Sequence, residues 1–122
     1  MADDIRPVVA AVVDDLMFLS RIREAAKRQG VEVRVVRTAA DAVAACREGA
    51  RRVILDLDTP RLPVLGVLAA LAGDPAFAGV DLVGFYSHVE TERAREARAA
   101  GCRTVLPRSA FVRQLDDLLP AR

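Results

Sequence analysis

Five apolar runs recur along the chain about every twenty residues, each followed by a stretch with helical spacing, and this alternation restricts the fold more than any other feature. Pro7 to Val13 is the first run and ends in Asp14 and Asp15. Leu16, Leu19, Ile22 and Ala26 then repeat at helical spacing until Gly30, which suits a helix stop. Val31 to Val36 alternates in polarity, as a half-exposed edge strand does, and Thr38 with Asp41 makes a capping-box start to an alanine-rich helix ending near Gly49. Val53 to Leu57 is continuously apolar, as in a central parallel strand. Pro63 suits the first turn of a third helix, Val64 to Ala72, closed by Gly73 to Pro75. Asp81 to Tyr86 reads as a fourth strand, and Ser87 with Glu90 as a second capping box opening an Arg/Glu-rich helix to Ala100, with Gly101 at its C′ position. Thr104 to Leu106 is a short fifth strand, and Phe111, Val112, Leu115, Leu118 and Leu119 mark one face of a last helix.

Strands and helices alternating in this way predict an α/β three-layer sandwich, a parallel sheet with helices on both faces. For a flavodoxin-like (βα)5 chain the sheet order is 2-1-3-4-5, with strands one and three side by side and a ligand crevice at their C-terminal ends. The alternating second strand fits the edge position in that order.

The 122 residues suffice for a single domain, residues 1–122, that buries a core without metal or disulfide, and no output domain is expected. The acidic start lacks a signal-peptide pattern, and the longest uncharged stretch, Leu62 to Gly73, is too short and too broken to span a membrane, which predicts a cytoplasmic protein. Cys46 and Cys102 have no ligand spacing and read as buried free thiols. Basic and acidic residues nearly cancel, 18 against 17, which argues against a nucleic-acid partner. Lys27 is the single lysine, so chemistry needing a lysine elsewhere is excluded.

The crevice of such a fold would collect Asp14 and Asp15 from the end of strand one and Asp56 from the end of strand three. Three carboxylates this close repel one another unless a cation sits among them, and an all-oxygen set suits Mg²⁺. Ser87 after strand four adds a hydroxyl donor, and Arg108 after strand five adds a fixed positive charge suited to phosphate. Each residue alone is an ordinary cap or surface side chain; their joint placement at strand ends points to a site.

These residues resemble the receiver domain of bacterial response regulators across essentially the whole chain. "VVDD" at Val12 to Asp15 is similar to that family's acidic pair, "LDLDTP" at Leu55 to Pro60 to its phosphoacceptor loop, "YS" at Tyr86 and Ser87 to its strand-four hydroxyl, and "AGC" at Ala100 to Cys102 to the segment before its fifth strand. The resemblance implies phosphoryl acceptance at Asp56, Mg²⁺ bound by Asp15 directly, by Asp14 through water and by the Asp58 backbone carbonyl, and Ser87 as the group that meets the phosphate. It also implies a histidine kinase or other phosphodonor, and a downstream protein engaged through the helix 4, strand 5 and helix 5 face. Three features depart from the pattern: Arg108 stands for the family's lysine, with Ser109 after it where the family has a proline and Pro107 before it; Val105 stands for its aromatic; and Pro63 with Val64 for an acidic-glycine pair. A guanidinium forks onto carboxylates where an ammonium is a point charge, so Arg108 is expected to pair with Asp56 at rest.

Two other readings share these letters. A receiver-like interaction scaffold that accepts no phosphate fits the missing lysine and aromatic. "DLDTP" also resembles the first motif of haloacid-dehalogenase-type phosphatases, with Asp56 as nucleophile and Asp58 as acid, but Asp116 and Asp117, which would supply that family's later acidic pair, point away from the apolar face of the last helix. In the receiver reading the chain is not an enzyme beyond phosphoryl transfer to and from its own aspartate. Glu92, Arg93, Arg95, Glu96 and Arg98 offer charge pairing to a protein partner, and interleaved glutamates argue against nucleic acid.

Overall fold

The computed structural model describes residues 7–87, 89 and 91–119. Five strands, β1 (Val8–Val12), β2 (Glu32–Val35), β3 (Ala50–Asp56), β4 (Asp81–Tyr86) and β5 (Thr104–Pro107), form one parallel sheet in the order β2-β1-β3-β4-β5. Between and after them run α1 (Leu16–Gln29), α2 (Ala39–Arg47), α3 (Val64–Ala72), α4 (Glu92–Ala99), α5 (Arg108–Arg113) and α6 (Leu115–Leu118), with a 3₁₀ turn at Pro75–Phe77.

Alternation along the central strands splits the core into two layers. Val9, Ala11, Val13, Ile54, Val83 and Phe85 face α1, α5 and α6, where they meet Ile22, Phe111 and Leu119. Val12, Val53, Leu55 and Leu57 face the other side and meet Ala45, Val67, Leu71 and Ala97. Full burial of each Leu, Ile or Phe contributes about 1.5–3 kcal/mol, so these layers hold the strand ends in register. β2 is the edge strand, and its side chains are exposed or half-buried. No described helix is long and apolar enough to cross a membrane.

Several local expectations hold in detail. Gly30 caps α1 at φ 68°, where an L side chain would be strained, and Thr38 caps α2 by accepting the Asp41 N–H at 3.0 Å. Others differ. Leu16 is 79% exposed, because the buried stripe of α1 runs through Phe18, Leu19, Ile22, Ala25 and Ala26 instead. Ser87 does not cap α4: Thr91 does, accepting the Ala94 N–H at 3.2 Å, while Glu90 lies outside the described residues. The last apolar face is carried by two short helices, since the chain turns at Gln114 (φ −97°, ψ 5°) before Leu115. Both cysteines are free, Cys102 buried and Cys46 half-buried.

Candidate functional site

At the C-terminal edge of the sheet lies a cavity of about 500 Å³ lined by Asp14, Asp15, Asp56, Asp58, Ser87 and Arg108, joined by Thr59 and Arg61. All six site residues singled out from the sequence therefore meet in one place. β1 delivers Asp14 and Asp15, β3 delivers Asp56, and β4 and β5 deliver Ser87 and Arg108. The two rims are tied by the Arg108 N–H donating to the Ser87 carbonyl at 3.3 Å.

Asp56 is buried at 9% exposure, and its Oδ1 accepts the Asp58 N–H at 3.0 Å. Burial pushes its carboxyl above the usual carboxylate range. The Asp58 N–H and the Arg108 charge oppose that rise, and the charges of Asp58 and Asp14 reinforce it. Asp58 turns its side chain the other way, where Oδ2 accepts both the N–H and the hydroxyl of Ser87, at 2.6 and 2.9 Å.

The acidic pair is neutralised from within. Asp15 caps α1, its Oδ1 accepting the Phe18 N–H at 3.1 Å, and its Oδ2 lies 3.5 Å from Arg108 Nη2. Asp14 Oδ1 accepts the Thr59 hydroxyl at 3.0 Å, and its Oδ2 accepts Arg61 Nη1 at 2.9 Å. Burial alone would raise the Asp14 carboxyl, but hydrogen bonds from Arg61 and Thr59 together with the Arg61 charge outweigh it and hold it low. Arg108 thus pairs with Asp15 and not, as expected, with Asp56. Its guanidinium carbon sits 4.8 Å from the centroid of the Phe18 ring, and this stacking aims the fork at the mouth of the cavity while Asp56 stays below.

Among the described residues no three acidic side chains converge closely enough to hold a metal ion as they stand. Their oxygens match a hard divalent cation in kind, yet each carboxylate has at least one oxygen turned to a protein donor. Asp116 pairs with Arg28 at 2.8 Å on the outer surface, and neither Asp116 nor Asp117 lines the cavity.

Sequence reasoning did not find Thr59, Arg61 or Phe18, and it placed Arg93 on the partner-facing surface of the fourth helix, whereas the structure turns Arg93 to the Thr59 carbonyl. Thr59 is 4% exposed; besides binding Asp14 it accepts the Arg61 N–H at 3.2 Å on its hydroxyl and an Arg93 Nη1 hydrogen bond on its carbonyl. The available signal was a threonine directly after Asp58 and three residues after the strand-ending Asp56, in a loop with little room for an unbonded hydroxyl.

The arrangement defines a doubly wound α/β domain with an acidic crevice at its topological switch point. More narrowly, it is the receiver fold of response regulators. A response regulator from Hahella chejuensis matches with a TM-score of 0.77 at 21% identity, over 93% of this chain and 92% of that one. The phosphorylated cyanobacterial phytochrome response regulator RcpA matches with a TM-score of 0.72 at 21% identity, over 95% and 90% of the two chains. The Mn²⁺-bound form of response regulator Rcp1 matches with a TM-score of 0.72 at 15% identity, over 92% and 91%. At these identities the likeness is one of fold. No family model and no curated protein matches the sequence.

Proposed function

We propose that the chain is a receiver-type signalling module in which Asp56 accepts a phosphoryl group from a phosphodonor protein, such as a histidine kinase, and passes the change to a downstream protein. One observation carries this reading: Asp56 is a buried carboxylate at the strand end, with one oxygen fixed by the Asp58 N–H and a guanidinium charge near enough to act on it. In the transfer an Asp56 oxygen attacks phosphorus, an O–P bond forms, the donor's N–P or O–P bond breaks, and the departing donor atom takes up a proton. Ser87 would leave Asp58 to donate its hydroxyl to the phosphoryl oxygens, and the Arg108 charge would offset their negative charge. The solved relatives that are phosphorylated RcpA and Mn²⁺-bound Rcp1 are precedents in those proteins.

A divalent ion, Mg²⁺ by preference, fits the oxygens of Asp14, Asp15 and Asp56 and the Asp58 carbonyl in chemistry, and would supply charge to the transferring group. It requires Asp14 to exchange its guanidinium and hydroxyl partners, and Asp15 its guanidinium partner, for the metal or its bound water. Output would run through α4, β5 and α5, where Arg95 and Glu92 pair at 3.0 Å on an exposed face.

A second reading, an interaction scaffold that accepts no phosphate, draws on the same internal pairing, since Asp14 and Asp15 are satisfied by arginine without a metal. The two part on the intact-protein mass after incubation with a small acyl phosphate and Mg²⁺. A one-phosphoryl increment that is lost in Asp56→Asn supports the receiver; an unchanged mass supports the scaffold.

A further inference from the structure

We propose that Arg61 is a resident cation of the crevice, a displaceable arm whose guanidinium holds the place at Asp14 that a divalent ion takes, so that metal binds only as the arm swings out. The inference deepens the receiver reading and rests on its premise that the crevice takes a metal.

Asp14 is the most enclosed member of the acidic pair, its side chain 12% exposed, and both of its oxygens are occupied: Oδ1 by the Thr59 hydroxyl and Oδ2 by Arg61. Arg61 reaches it from the opposite condition. Its side chain is 77% exposed and arches over the cavity mouth from the loop after β3, while its backbone N–H is anchored on Thr59 Oγ1 at 3.2 Å. An anchored base with a solvated arm can release its carboxylate without unfolding the loop. The contact is a charge pair at the water boundary, where such pairs contribute little and are screened by salt. A divalent ion carries twice the charge of the guanidinium, and its bound water can take the Asp14 oxygen that Arg61 holds, so it competes effectively.

Arg108 is built differently. It pairs with Asp15 at a longer distance, 3.5 Å, and is held by the Phe18 ring, so it modulates the charge of the crevice without enclosing a carboxylate. Arg61 is therefore the gate, and it sits at a position the sequence marks only by its closeness to Asp56.

Mg²⁺ and Mn²⁺ titrations followed by thermal melting, on the wild-type chain, Arg61→Ala and Arg95→Ala, test the proposal. Arg95 lies on the outer face of α4 and serves as a control for lost positive charge. Arg61→Ala should tighten the apparent metal affinity about three- to fivefold at low ionic strength, the factor set by removing one exposed pair, and the gain should shrink as salt rises. Arg95→Ala should leave the affinity unchanged. Equal metal affinity in wild type and Arg61→Ala, or equal tightening in Arg95→Ala, overturns the gate while leaving metal binding intact. Melting indifferent to millimolar metal in all three proteins overturns the metal premise, and the gate with it.

Discussion

The guanidinium carbon of Arg108 lies 4.8 Å from the centroid of the Phe18 ring, which joins a residue of the crevice rim to the first turn of α1. Phe18 in turn stacks on Phe85 and Phe111, with centroids 4.4 and 5.5 Å away. Arg108 is thus oriented by the core. An ammonium at this position would lose the flat stacking and the fork toward Asp15. Arg108→Lys should therefore free Asp15, tighten Mg²⁺ binding about three- to fivefold and speed acyl-phosphate formation at Asp56. Unchanged affinity and rate in that variant would show that the arginine does not restrain the site.

The same aromatic cluster bears on stability. Phe18→Leu keeps an apolar side chain but removes two ring contacts and the cation–π contact, and is expected to cost about 1–3 kcal/mol in denaturant unfolding. A loss below about 0.5 kcal/mol would mean the rings merely fill space.

Asp56 and Asp14 should pull the pH dependence of stability in opposite directions. Burial raises the Asp56 pKa, so the folded chain binds that proton more tightly than the unfolded chain, and stability from this group grows as pH falls through the raised value. At neutral pH the buried charge is a liability, and Asp56→Asn should stabilise by on the order of 1 kcal/mol, an advantage that fades in acid. Asp14 is held low, so its contribution is present above the unfolded carboxyl pKa and is lost as pH falls through the depressed one. Melting curves of Asp56→Asn and Asp14→Asn across the acid range should show those opposite trends; parallel curves would refute the assignment.

Gly84 lies in β4 against Leu57, the residue that follows Asp56. A Cβ at Gly84 would fall 2.8–2.9 Å from three Leu57 side-chain carbons. Leu57 is fully buried and has nowhere to retreat, so Gly84→Ala should destabilise the domain by about 1–3 kcal/mol. The double variant with Leu57→Val should recover part of the loss, a result that backbone strain alone would not produce.

The thiols should react in order. Burial pushes the Cys102 thiol up to about 11 and also raises Cys46, which is only half-buried. Cys46 should alkylate in the native protein and Cys102 only on unfolding, which peptide mass mapping over a denaturant series would reveal.

The sheet order was legible because hydrophobic period and position carry it: β3 is apolar throughout and central, whereas β2 alternates and lies at the edge. The crevice was legible for the same reason, since Asp14, Asp15, Asp56, Ser87 and Arg108 all close their strands. Side-chain aim was not. Ser87 reads as a helix cap by spacing, but Asp58 across the cavity outcompetes the helix for its hydroxyl. Arg108 reads as a partner for Asp56, but a ring 90 residues away in sequence, Phe18, decides its direction. Arg61 has no periodic signature at all, because loop closure alone brings it to Asp14. Such choices among nearby partners are worth about 1 kcal/mol each and are settled by tertiary contacts that no local pattern encodes.

Thr59 is bonded to Asp14 through its hydroxyl, to the Arg61 N–H through the same oxygen, and to Arg93 of α4 through its carbonyl. The loop after β3 therefore shares one buried residue with the end of β1 and with α4. A shift at Asp14 that breaks its bond to the Thr59 hydroxyl would bear on the contact that Arg93 makes from α4. Under the proposed function, α4 would therefore be coupled to a cation at Asp14 through Thr59, by a route separate from the one through Ser87 that a phosphoryl group at Asp56 would use.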